Sequence, residues 1–148
     1  MKKIYLAAFA SLILLAGCSG TNPTLGLNDG MLMPCPDTPN CVNSQIVGSE
    51  EHSIEPIVYS GNEADARDKL LQILEGEVGA KTLATADNYV DAEYTSMFFR
   101  FVDDVEFYLV QEANDRTVIH VRSASRLGKK DFGVNRERIE RIREKFNQ

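Results

Sequence analysis

The sequence predicts an α+β fold in which two amphipathic helices pack on one face of an antiparallel sheet. Short runs rich in β-branched and aromatic residues follow one another with only tight turn signals between them, which is typical of hairpins. Two other segments carry apolar residues at helical spacing. Strands joined by hairpins indicate antiparallel pairing, and the predicted order is β-α-β-β-β-β-α.

The first strand and the first helix are adjacent in the sequence. The strand covers residues 54–60, and Pro56 within it indicates a late start or an edge position. Asn62 is the predicted N-cap of a helix over residues 63–76, because its side-chain oxygen can accept a free backbone N–H of the first turn. The apolar stripe of this helix consists of Ala66, Leu70, Ile73 and Leu74.

Turn-forming pairs separate the remaining elements. Asp87–Asn88 and Asn114–Asp115 each favour a tight turn between two strands. The pair Asp103–Asp104 interrupts an extended stretch rich in Phe, Val and Tyr. The predicted strands are residues 81–86, 89–96, 97–102 with 105–110, and 117–125, and a last helix covers residues 134–146.

The chain begins with a segment of a different kind. Lys2 and Lys3 precede an apolar run over residues 4–16, which is too short for a spanning helix and predicts an export signal over residues 1–17. Its ending, Leu15-Ala16-Gly17-Cys18, resembles the lipobox of bacterial lipoproteins. That resemblance implies a diacylglycerol thioether and an acyl chain such as palmitate on Cys18. The alternative is an ordinary cleaved signal peptide.

The position of the mature protein follows from the same region. Serine rather than aspartate at position 19 favours the outer membrane, with the protein facing the periplasm. Residues 18–34 are rich in Gly, Pro and Asn and have no apolar periodicity, so we expect a flexible tether. A single domain over residues 35–148 would follow it.

Two cysteines remain once Cys18 is assigned to the anchor. Turn formers fill the sequence between Cys35 and Cys41, so the chain can fold back and join them as a disulfide in an oxidising compartment. A zinc site needs about four ligands, and a redox centre prefers the Cys-x-x-Cys spacing. Neither pattern is present, and we expect no metal and no cofactor.

Charge is distributed unevenly along the chain. Residues 18–115 contain four basic and eighteen acidic residues, whereas residues 116–148 contain ten basic and four acidic ones. The net negative charge gives no overall bias toward nucleic acid. Two interpretations stay open: the halves neutralise each other within one fold, or a basic face meets lipid phosphates or another anionic envelope polymer.

The last strand carries a pair of arginines. Strand alternation places Arg122 and Arg126 on one face, where two guanidinium groups can clamp a carboxylate or a phosphate. We expect them to face Asp103, Asp104 or Asp131. The cluster is then either a lock between the sheet and the last helix or the mouth of an anion site, and the sequence favours the lock.

Four motifs in order resemble the family catalogued as domain of unknown function 1499. They are residues 35–42, 99–107, 121–128 and 131–136, and the resemblance covers residues 35–148. Members of that family are often secreted, lipidated or membrane-attached, and the family has no established activity. The polar residues of these motifs form the candidate site: Arg100, Asp103, Asp104, Glu106, Arg122, Arg126, Asp131, Asn135 and Arg136.

No catalytic residues are recognisable in the sequence. His120 alternates with Ser123 and Ser125 on the last strand, so neither serine shares its face. We therefore expect a non-enzymatic lipoprotein that binds an envelope protein, a lipid or an anionic polymer. Two alternatives remain: a cell-envelope enzyme that uses the arginines and aspartates as an anion site, and a structural accessory subunit of an envelope complex.

Overall fold

The computed structural model describes residues 20–21 and 23–148. The predicted export signal, Cys18 with its predicted acyl chains, and Ser19 lie outside the described residues. No helix in these two ranges is long and apolar enough to cross a membrane.

The described residues form six strands and two helices. They are β1 (Cys41–Asn43), β2 (Ile57–Ser60), α1 (Glu63–Glu75), β3 (Ala80–Thr85), β4 (Tyr89–Thr95), β5 (Val102–Glu112), β6 (Arg116–Ser125) and α2 (Val134–Phe146). The strands form one antiparallel sheet in the order β1-β6-β5-β4-β3, and β2 pairs with the free edge of β6 below β1. The predicted fold class and element order are confirmed, with β1 as an additional strand too short to show a sequence pattern.

The largest difference from the predicted boundaries lies between β4 and β5. Residues 96–101 form the turn between β4 and β5, so residues 97–101 are not part of a strand, and β5 runs without a break through Asp103 and Asp104. The β-propensity of the phenylalanines predicts extended structure, but these residues form the connection between two antiparallel strands, and the reversal of the chain outweighs their propensity. The two aspartates stay within the strand because each has an arginine partner.

Both helices pack on the same face of the sheet. The α1 side chains Ala66, Leu70 and Leu74 are buried, as are Ile139 and Ile142 of α2. They meet the inward side chains of the central strands, among them Val90, Ala92, Val105, Phe107, Leu109, Ile119 and Val121. Burial of each large aliphatic or aromatic side chain stabilises the fold by about 2 kcal/mol, so this layer is the core.

The opposite face of the sheet carries no helix, and we call it the helix-free face. Residues 23–34, which the sequence predicts as part of a tether, contact this face. The backbone N–H of Gly26 donates to Glu106 Oε1 at 3.0 Å, and Leu32 is buried. The Leu32 N–H donates to Gln45 Oε1 at 2.7 Å. The segment that makes these contacts has no apolar periodicity, so the sequence pattern does not predict them.

Candidate functional site

A cluster of charged side chains crosses three strands on the helix-free face. Register places Asp91 opposite Glu106 and Glu106 opposite Arg122, so these three form one row across β4, β5 and β6. Alternation brings Glu93, Asp104 and Arg126 to the same face. We call these six residues the helix-free cluster: Asp91, Glu93, Asp104, Glu106, Arg122 and Arg126.

Glu106 is the fully buried centre of this cluster. Its side chain is 0% exposed, and Arg122 donates from Nη1 to Glu106 Oε2 at 3.2 Å. The other carboxylate oxygen accepts the Tyr89 hydroxyl at 2.8 Å and the Gly26 N–H at 3.0 Å. Arg122 Nε is buried and has no hydrogen-bond partner. Burial and the neighbouring Glu106 raise the pKa of Tyr89, so its hydroxyl stays a donor.

Arg126 makes more hydrogen bonds to carboxylates than Arg122 does. Its Nε lies 2.9 Å from Asp104 Oδ2, and its Nη2 lies 2.6 Å from Asp104 Oδ1, which is a bidentate pair. The same Nη2 also contacts Glu93. These hydrogen bonds to Asp104 and Glu93 raise the pKa of Arg126 above its ordinary value, so it is charged at every relevant pH.

The cluster has more carboxylates than guanidinium groups. Four acids share two arginines, and Asp91 Oδ1 is buried without a partner. Burial, then the charges of Glu106, Asp104 and Glu93, raises the pKa of Asp91 to about 6. An anion placed at Arg122 or Arg126 would meet this carboxylate excess. The geometry therefore supports a structural lock between strands better than an anion site.

A cavity borders the helix-free cluster. Its volume is about 180 Å³, and Arg122, Arg126, Pro23 and Pro36 are among its lining residues. Both arginines bind carboxylates in the fold, so the cavity offers a ligand little unshared positive charge. No group of three or more His, Cys, Asp or Glu side chains in the described part of the chain is placed to hold a metal ion.

A second polar cluster joins the sheet to α2 on the other face. Arg138 in α2 contacts Asp103 through Nη2, and its Nη1 donates to Ser123 Oγ at 2.8 Å and to Asn135 Oδ1 at 2.6 Å. The guanidinium also lies 4.5 Å from the centre of the Tyr94 ring. This arginine therefore connects the helix to both β5 and β6.

Asp131 fixes the start of α2. Its carboxylate accepts the backbone N–H groups of Gly133 and Asn135, each at 3.0 Å. Burial alone would raise the pKa of Asp131, but these hydrogen bonds outweigh that effect and lower it. Asn135 Nδ2 then donates to Asn40 O at 3.1 Å and to Ser125 Oγ at 2.9 Å. The two residues orient the helix against the end of β6.

The nine candidate residues thus fall into separate places. Asp104, Glu106, Arg122 and Arg126 meet on the helix-free face, whereas Asp103, Asp131 and Asn135 lie on the helix side. Only Asp104 of the three carboxylates expected beside Arg122 and Arg126 lies on their face. Arg136 donates to the carbonyl oxygens of Glu50 and Glu51, and Arg100 is exposed in the β4–β5 turn.

Sequence reasoning missed Arg138, Asp91 and Glu93. Arg138 lies one helical turn after Asn135, which is the signal that could have linked it to the same cluster. Alternation along β4 would have placed Asp91 and Glu93 on one face, but the register that brings them to β5 is not visible in the sequence.

Cys35 and Cys41 form a disulfide, as predicted. The bond closes a loop just before β1, and Asn40 within that loop donates to the carbonyl oxygens of Ser125 and Gly128 at 3.3 and 3.0 Å. The disulfide therefore holds the beginning of β1 against the end of β6.

His120 and Ser44 contact each other, as a base and a nucleophile would in a catalytic pair. Ser44 Oγ lies 3.3 Å from His120 Nδ1, but it also accepts the N–H of Val121 at 2.9 Å. The Ser44 N–H donates to Val121 O, so this residue continues the ladder of β6 between β1 and β2. Burial lowers the pKa of His120, which keeps the ring neutral at pH 7. The contact has a structural role.

Exposed aromatic side chains gather at one end of the sheet. The β4–β5 turn (residues 96–101) and the β6–α2 loop (residues 126–133) lie side by side there, since the Arg126 N–H donates to Val102 O at 3.1 Å. We call the surface of these two segments the loop end. Its exposed large apolar residues are Met97, Phe98, Phe99, Phe101, Leu127 and Phe132.

The loop end presents these side chains instead of burying them. Phe98 is 87% exposed and Phe132 is 94% exposed. The Phe99 and Phe101 rings stack on each other at 5.7 Å. Arg100 and Phe132 have φ angles of 57° and 56°, a left-handed conformation that costs free energy in a residue other than glycine. Both strained residues lie at the same exposed surface.

The described chain begins at this same end. A Cβ added to Gly20 would lie 3.3 Å from Leu127 Cγ and 3.0 Å from Arg126 Cβ, so Gly20 packs on the β6–α2 loop. The opposite end of the sheet contains the β3–β4 turn at residues 86–88 and the β5–β6 turn at residues 113–115. Neither of these two described turns exposes a large apolar side chain.

Comparison with known proteins places this arrangement in a family. The model of a family described as "protein of unknown function (DUF1499)" matches residues 31–146. The matched range includes the disulfide, both polar clusters and the loop end. No curated protein matches the sequence.

Proposed function

The chain belongs to the DUF1499 family, and we propose that it is a lipid-anchored protein of the outer membrane, facing the periplasm. In this proposal it is a non-catalytic binding module, and the loop end is its binding surface for an envelope component. The observation that carries the proposal is the exposure of Phe98, Phe99 and Phe132 on one surface. A contiguous exposed apolar patch on a folded domain is typical of an interaction site.

The anchor and the compartment have separate support. The charged and then apolar N-terminus with Cys18 has the pattern of a lipoprotein signal. The Cys35–Cys41 disulfide is consistent with an oxidising compartment such as the periplasm. A diacylglycerol and an additional acyl chain on one cysteine are enough for stable membrane association, whereas a single acyl chain is not.

Binding is better supported than catalysis. Arg122 and Arg126, the residues of the alternative anion site, both pair with buried carboxylates in the fold. An enzyme that polarises an anionic substrate needs guanidinium groups that become available to it. The loop end, by contrast, exposes its side chains without any rearrangement. An accessory role in an envelope complex would use the same surface.

Site-specific photo-cross-linking in the native host tests the proposal. A photoreactive amino acid replaces Phe98 at the loop end, and in the matched control it replaces Ala113, which is exposed in the opposite β5–β6 turn. We expect envelope adducts from position 98 and few from position 113. Equal yields at the two positions, or none at position 98, would contradict the assigned binding surface. A single protein adduct in stoichiometric amount would favour the accessory subunit.

A further inference from the structure

We infer that the loop end docks on the lipid bilayer that holds the anchor, and that its ligand is the anionic lipid surface itself. This inference rests on the proposed function, because it names the partner of the same surface. Three features of the described residues support it: where the chain enters the domain, which side chains are exposed there, and which charges surround them.

The first feature is the position of Gly20. This residue packs against Leu127 at the loop end. Two residues of chain span at most about 7 Å. An anchor on Cys18 would therefore attach to the membrane within about 7 Å of Gly20. The loop end is therefore held beside the bilayer by the anchor. A surface kept at a high local concentration of lipid needs only weak intrinsic affinity to stay docked.

The second feature is the type of exposed side chain. Phe98, Phe99 and Phe101 project from the β4–β5 turn, and Phe132 projects from the adjacent loop. Aromatic and aliphatic side chains beside basic ones are typical of segments that lie in the membrane interface. The left-handed backbone at Phe132 and Arg100 presents these side chains outward at a cost in free energy, which a docked state would offset.

The third feature is the charge within the two segments that form the loop end. The exposed charged residues of the two segments are Arg100, Lys129 and Lys130, and all are basic. The one acid there, Asp131, turns its carboxylate to the backbone N–H groups of α2. Basic residues are attracted to anionic headgroups, and no exposed acid in these two segments repels those headgroups. This composition favours an anionic lipid surface over a protein partner that has no acidic patch.

The docking geometry also accounts for the acidic residues in the turns at the opposite end of the sheet. The β3–β4 turn exposes Asp87 and the β5–β6 turn exposes Asp115, and both turns would point away from the membrane. Acidic groups there would be repelled by an anionic leaflet, so they oppose an inverted orientation. The aromatic and basic loops thus face the lipid, and these two acids lie at the far end of the strands.

Depth-dependent fluorescence quenching tests this orientation. The chain contains no tryptophan, so Phe98→Trp introduces a single fluorophore at the loop end, and Ala113→Trp is the matched control at the other end. Both proteins are expressed in the native host with their own signal segment, purified, and reconstituted in phosphatidylcholine vesicles with or without phosphatidylglycerol. Brominated lipids in the same vesicles quench a fluorophore that enters the bilayer. Flotation with the vesicles reports the anchor independently of the quenching.

We expect strong quenching of Phe98→Trp in the vesicles with phosphatidylglycerol and almost none of Ala113→Trp. Replacing Lys129 and Lys130 by glutamine should lower the ratio of docked to undocked protein about fivefold for each lysine. If both tryptophan variants float but neither is quenched, the docking inference is wrong while the anchor stands. If Phe98→Trp does not float, the anchor itself is wrong. A protein adduct at position 98 without quenching would assign the surface to a protein.

Discussion

Asp103 and Asp104 are neighbours in the sequence, yet they bind different arginines on opposite faces of the sheet. Asp103 contacts Arg138 of α2, whereas Asp104 forms a bidentate pair with Arg126, the residue directly after β6. The period of two residues along a strand requires this divergence. One aspartate therefore holds the helix to the sheet, and the other holds the strands together.

The buried pair of Arg122 and Glu106 should make a large contribution to stability. Arg122→Met removes the guanidinium and leaves the fully buried Glu106 carboxylate without its cation, which costs about 3–5 kcal/mol in buried pairs. Arg116→Met on the same strand is the matched control, because its pair with Glu112 is largely exposed and should change stability by less than about 1 kcal/mol. Urea unfolding measures both changes. A stable, abundant Arg122→Met protein would instead direct attention to the anion site.

The contact between Arg138 and Asp103 should be strongly coupled. A double-mutant cycle with Arg138→Met and Asp103→Asn should give a coupling energy of about 1–3 kcal/mol, because the two side chains share a buried hydrogen-bond network. The pair of Glu140 and Arg143, in which the Glu140 side chain is exposed, is the control, with an expected coupling of about 0.5 kcal/mol or less. Additive effects of the two substitutions at the buried pair would rule out a lock between β5 and α2.

The disulfide should protect both of its cysteines from modification. Alkylation of denatured, unreduced protein from the periplasm should leave Cys35 and Cys41 unmodified. Replacing both by serine should lower the free energy of unfolding by about 2 kcal/mol, since the closed loop is short. Two reactive thiols in protein taken from the native compartment would contradict the assignment.

Asp91 should make stability depend on pH in a defined window. Its pKa in the folded protein is about 6, above the ordinary value of 3.8, so folding favours the protonated carboxyl. The stabilising contribution is complete below about pH 3.8 and is lost as the pH rises through about 6. Asp91→Asn stays neutral, so it should raise the urea midpoint at pH 7 more than at pH 4.

Urea midpoints of the wild type and Asp91→Asn across this range provide the check. Glu77 and Asp131 have lowered pKa values and act in the opposite sense at lower pH, but they are common to both proteins and cancel in the difference. A difference that does not change with pH would show that Asp91 does not titrate as described.

Local patterns predicted the elements better than the contacts between them. Alternation placed Arg122 and Arg126 on one face because it depends on one strand alone, and they lie on that face in the structure. Their partners depend on the register of β5 against β6, which sets Glu106 opposite Arg122. No local signal encodes that register.

The prediction for residues 97–102 is wrong for a related reason. Phe98 and Phe99 have high strand propensity, so the sequence indicated a strand at residues 97–102. In the structure the same residues form a turn and remain exposed. The surface that supports the proposed function depends on the contact between this turn and the β6–α2 loop, which no local pattern encodes.

The most direct test of the account is acyl labelling of Cys18 with fractionation of the envelope. Wild-type protein expressed in the native host should incorporate labelled fatty acid and sediment with the outer membrane after a high-salt wash. Cys18→Ser should lose the label and enter the soluble periplasmic fraction under the same wash, because the docking of the loop end alone is weak and screened by salt. An unlabelled wild-type protein, or a Cys18→Ser protein that resists the wash, would contradict the account.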